Sequence, residues 1–230
     1  MRVGRQILVF LTLATLPAAL HAQAANQTPA SSSSKRTKPS VGLAEPIEAG
    51  AVTNGAYHTK ALGLSCKIPE GWVLRTDEMN AREEEKDQKE EKDKSGSAPP
   101  ASSEGAKVLL AAFSRPPEAK GEDVNSSILI VAESAAAYPG LKEAAQYFGP
   151  LIEVAKAQGF TMEEDPYDIA IGGKTLVRGD FHKDIGSRVM RQSTLAMLVH
   201  GYAVSITVIG GTDDEVEDLV DGISFSPGAK

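Results

Sequence analysis

Leu62, Leu64, Cys66 and Ile68 alternate with Gly63, Ser65 and Lys67, the period of a half-buried strand, and Pro69-Glu70-Gly71 closes it before Trp72. Cys66 therefore points inward, as a small core residue rather than a reactive thiol. Val108–Phe113 and Ile128–Ala132 are apolar runs of strand length and read as central strands. Leu141, Ala144, Ala145, Phe148, Leu151, Ile152 and Ala155 recur at helical spacing, with Gly159 as the stop. Gly149-Pro150 inside that pattern predicts a break, because proline removes a donor and clashes with the preceding turn.

A meander follows. Asp168–Ile171 and Lys174–His182 flank the hairpin signal Gly172-Gly173. Ile185-Gly186-Ser187 and His200-Gly201 are two further turns, enclosing strands at Val189–Val199 and Tyr202–Ile209. Thr212 and Glu215 have capping-box spacing, and Val216, Leu219, Val220 and Ile223 form the apolar face of a last helix. Its other face carries Asp213, Asp214, Glu217, Asp218 and Asp221 with no base, and the acids of its first turn suit the helix dipole. The fold class is thus α+β: an antiparallel β-sheet meander with helices packed on its faces.

Three stretches stand outside that pattern. Arg2 and Arg5, the apolar run Ile7–Leu16, Pro17 and the small residues near His21-Ala22-Gln23-Ala24 read as a secretory signal peptide over 1–24. Residues 25–52 are rich in Ser, Ala, Thr and Pro and read as a disordered tether, with Lys35, Arg36 and Lys38 its only bases. A charged low-complexity insertion covers about 77–105, and its part Asp77–Lys94 holds nine acids against five bases. Asn80 and Glu83 have capping-box spacing there, but no apolar stripe follows Met79 to dock a helix. A single domain over 53–227 remains.

Composition narrows the function classes. The 230 residues carry a net charge of −7; removing Arg2 and Arg5 leaves 22 bases against 31 acids, or −9. Such a charge argues against nucleic acid as a partner. The single cysteine excludes a disulfide framework and multi-cysteine metal sites. No later run reaches the ~20 apolar residues of a spanning helix, so no transmembrane anchor is expected. The chain should be exported, to the periplasm or beyond the cell.

Gly-x-Ser-x-Gly, His-Glu-x-x-His, Walker and Gly-x-Gly-x-x-Gly patterns do not occur, so no catalytic residues are assigned and a hydrolase ranks last. Strand alternation places Arg178, Asp180 and His182 on one face, a candidate site for an anionic ligand or a divalent cation. Zinc takes three or four protein ligands, so no metal or cofactor is assigned, and cross-strand ion pairs are the ordinary alternative. Tyr138, Tyr147, Trp72 and Tyr202 read as core anchors with polar tips.

Tyr57, the stretch Leu62-Gly63-Leu64-Ser65-Cys66-Lys67-Ile68-Pro69-Glu70-Gly71-Trp72, the helix ending Gln158-Gly159-Phe160, the hairpin Ile171-Gly172-Gly173-Lys174, the strand entering Gly201-Tyr202-Ala203 and the closing Ile223-Ser224-Phe225 resemble, in that order, the PsbP-like superfamily. The resemblance covers about Thr53 to Pro227, and the charged insertion departs from it. It implies a PsbP-like α-β-α sandwich and a secreted, non-enzymatic binding or assembly module with an envelope protein or complex as partner. The alternative is a periplasmic small-ligand or metal-binding protein using Arg178, Asp180 and His182.

Overall fold

The computed structural model describes residues 47–82, 106–121 and 123–226. In chain order the elements are β1 (Ala51–Thr53), β2 (Ala56–Thr59), β3 (Leu64–Lys67), β4 (Val73–Leu74), a helix α1 over 76–82, β5 (Lys107–Phe113), β6 (Ser127–Ser134), α2 (Ala144–Ala157), β7 (Thr161–Met162), β8 (Tyr167–Ile171), β9 (Lys174–Ile185), β10 (Arg188–Val199), β11 (Tyr202–Gly210), α3 (Asp213–Asp221) and β12 (Ile223–Phe225). All strand pairs are antiparallel, in two sheets. The larger has the order β4-β5-β6-β11-β10-β9-β7, with β8 also on β9, and the smaller has β1-β2-β3-β12.

The meander through β8, β9, β10 and β11 is as the turn signals require, with two-residue connections at Gly172-Gly173, Gly186-Ser187 and His200-Gly201. Gly172 is needed twice over: its φ is +56°, and an added Cβ would lie 2.8 Å from the Phe225 carbonyl oxygen. That contact brings the β8–β9 hairpin against β12.

The large sheet is covered differently on its two faces. On one, Tyr147, Phe148, Ala155 of α2 and Phe160 just beyond it pack on Val177, Phe181, Ala196 and Ala203. On the other, Val216, Leu219 and Val220 of α3 and the inner face of the small sheet, including Tyr57, Leu64, Cys66, Ile223 and Phe225, pack on Ile128, Ile130, Leu195, Val204 and Ile206. A sheet therefore shares with α3 the face that the sequence assigned to helices alone.

Several boundaries differ from the sequence reading. Residues 47–52, assigned to the tether, belong to the domain. Ile47 is buried in the core, its N–H donates to Tyr202 Oη at 3.2 Å, its carbonyl accepts from Lys107 Nζ at 2.7 Å, and Ala51–Thr53 pair with β2. A lone isoleucine among small residues leaves no periodic signal. The signal peptide and residues 25–46 lie outside the described residues.

Residues 77–82, placed in the insertion, are helical and docked; Glu83 to Gly105 lie outside the described residues. Met79 packs with Val108, Ala111 and Phe113, while Thr76 Oγ1 accepts from Ala111 N–H at 3.0 Å. Asn80 sits inside the helix and pairs both ways with the Val108 backbone at 2.9 Å, instead of capping. α1 is thus fixed by one apolar side chain and polar bonds to the β5 edge, which hydrophobic periodicity does not register.

α2 runs through Pro150 without the expected break. Residues before and after the proline, Phe148 on one side and Leu151, Ile152 and Ala155 on the other, meet the same sheet face, so packing holds the helix across one missing hydrogen bond. It ends as Gly159 predicts, with Phe160 N–H on the Ala155 carbonyl at 3.0 Å and Gly159 N–H on Lys156 at 2.9 Å. Ile223, assigned to the last helix, instead opens β12 opposite Cys66. Helical spacing from Leu219 and Val220 hid a three-residue strand whose partner lies far away in the chain.

Candidate functional site

Along β9 the odd positions Val177 and Phe181 join the α2 cluster, and Gly179 leaves room for the Phe148 ring. The even positions Arg178, Asp180 and His182 therefore face α3, as alternation required. Beside them on β10 the register sets Leu195, Ser193 and Arg191. On the outer edge, β8 pairs as far as Arg178 and β7 pairs at Phe181 and His182, with Glu163 N–H donating to the Asp180 carbonyl at 2.9 Å.

Arg178 is 9% exposed, and its guanidinium forks onto α3. One terminal nitrogen donates to Glu217 Oε2 at 3.0 Å, the other donates to Glu217 Oε1, and Nε donates to Asp180 Oδ1 at 2.9 Å. Tyr167 Oη closes the set on Asp180 Oδ2 at 2.8 Å. Burial opposes the Arg178 charge, but the Glu217 and Asp180 carboxylates outweigh it and hold the group above its ordinary pKa. Burial, then the hydrogen bond to Asp180, push the Tyr167 phenol up to about 12.

His182 meets a different set. Its Nδ1 lies 3.4 Å from Glu163 Oε1, which also receives Arg191 at 3.4 Å, while Arg191 Nε reaches Asp213 Oδ1 at 3.0 Å. The three predicted residues thus share a face, but Arg178 and Asp180 form one ion-pair group and His182 belongs to a neighbouring one. Glu217, Glu163 and Arg191 complete them. Arg191 was accessible from β10 alternation, whereas no local pattern points to Glu163 or pairs Glu217 with Arg178. Beneath α3, Ser193 Oγ is buried and has no hydrogen-bond partner among the described residues. Among the described residues, no three His, Cys, Asp or Glu side chains are grouped to hold a metal ion.

The other candidate chemistry disperses. Cys66 is fully buried, and burial pushes its thiol up to about 12, away from nucleophilic use. His58 Nδ1 shares a 2.8 Å bond with Ser65 Oγ on the outer face of the small sheet, and His200 occupies a turn. Tyr138 and Tyr147 meet edge to face with centroids 5.2 Å apart and both donate to Glu133, Tyr138 at 2.8 Å. Burial, then the Glu133 charge, raise both phenols above their ordinary pKa. Tyr202 holds Ile47, and Trp72 packs at the core margin.

Fold and site define an α+β domain whose charged face is joined to a helix by internal ion pairs. No family model and no curated protein match the chain. Solved structures similar to it include PsbP from the cyanobacterium Synechocystis sp. PCC 6803, at 13% identity over 81% of this chain and 99% of that one, with a TM-score of 0.40. LpqN, involved in cell envelope biogenesis of Mycobacterium tuberculosis, is similar at 14% identity over 71% and 83% of the two chains, TM-score 0.34. PA94 of Pseudomonas aeruginosa is similar at 16% identity over 58% and 90%, TM-score 0.37. Among the described residues no helix is long and apolar enough to cross a membrane.

Proposed function

We propose that the protein is an exported, non-enzymatic binding or assembly module that acts through its surface on a protein or complex of the cell envelope. The observation that carries this reading is the internal matching of the Arg178 face. Arg178 is taken by Glu217 and Asp180, Asp180 by Tyr167, and Glu163 by His182 and Arg191, so these charges fasten a strand to a helix and leave recognition to the exterior. In support of an envelope location, residues 1–24 have the charge, apolar run and small-residue pattern expected of a secretory signal peptide.

The test uses the full mature chain carrying a photo-crosslinking side chain at Val52, Leu74 or Ile185, the large apolar side chains exposed among the described residues. Incubated with envelope from the source cells, at least one position should give a discrete protein adduct that unlabelled mature chain competes away. Envelope adducts at none of the three, or turnover in a hydrolase screen that one point substitution abolishes, would overturn the reading.

A further inference from the structure

We draw no further inference here: the strongest candidate, the unpartnered Ser193 hydroxyl beneath α3 beside the Arg178–Asp180 pair, belongs to the site already described, and the charged groups around it are matched within the chain.

Discussion

Arg178 on β9 grips both carboxylate oxygens of Glu217 on α3, across 39 residues of sequence, while its Nε holds Asp180 on its own strand. Glu217 lies beyond the first turn of α3, where the helix dipole gives an acid little. Its partner on β9 supplies the missing reason for a carboxylate there. α3 is therefore oriented twice, by its apolar face on the core and by a planar fork at its flank.

The two ends of this pair should respond unequally. Asp180 is 19% exposed and, among the described residues, keeps the Tyr167 phenol as its side-chain donor if the guanidinium goes, whereas Glu217 is 52% exposed and is readily hydrated. Arg178→Met is expected to cost about 2–3 kcal/mol, and Glu217→Gln about 1 kcal/mol or less. Urea titration of both variants measures this, and equal losses would contradict the burial argument.

Phe148 should be coupled to Gly179. A Cβ at residue 179 would stand 2.5 Å from Phe148 Cε1, so the ring lies directly on the β9 backbone. Gly179→Ala is expected to cost about 1–3 kcal/mol by overpacking. Combined with Phe148→Leu, the loss should fall short of the sum by about 0.5 kcal/mol or more. A strictly additive double-mutant cycle would place the ring elsewhere.

These contacts mark the limit of what local pattern reveals. The meander, the inward Cys66 and the stop at Gly159 are written in short-range signals: alternation, paired turn residues, one glycine. β12 is not, because its three residues continue a helical spacing and acquire a partner only through β3. Nor is the docking of Asn80 on Val108, which depends on a side-chain amide meeting a strand edge 28 residues away. At the site, alternation placed Arg178, Asp180 and His182 on one face, but which carboxylate each would meet was set by the packing of α3 and by the chain around Glu163. Prolines are similarly ambiguous: Pro150 signals a break locally and tertiary burial overrides it.

The β10–β11 turn should accept improvement. His200 has φ +51° and Gly201 follows at +79°, the two left-handed positions of a two-residue hairpin turn, for which Asn-Gly is the preferred pair. His200→Asn is expected to stabilise by about 0.5 kcal/mol or less, raising Tm by roughly 1–2 °C. Asn54, at the same φ of +51° in the β1–β2 turn, provides the reverse exchange, and Asn54→His should lower stability by a similar amount. Thermal unfolding of both variants checks the pair, and a lower Tm for His200→Asn would show that the imidazole has a role in the turn.

Alkaline pH should weaken the fold, beginning with Cys66. Burial holds the thiol up to about 12, whereas an unfolded cysteine ionises near about 8.5. Between those values the unfolded chain has released a proton that the folded chain retains. The stabilisation is therefore fully present below about pH 8.5 and is lost as pH rises, at a limiting slope of about 1.4 kcal/mol per pH unit. Tyr57, Tyr138 and Tyr147 have folded pKa values raised first of all by burial, so they act with the same sign, but only above an unfolded pKa of about 10. Urea titrations in reductant at pH 8, 9 and 10 separate the two: Cys66→Ala sets its own cavity cost at pH 8, and its loss of stability from pH 9 to 10 should be shallower than that of the unsubstituted chain. Parallel pH profiles for the two proteins would mean that the thiol is hydrated in the folded state.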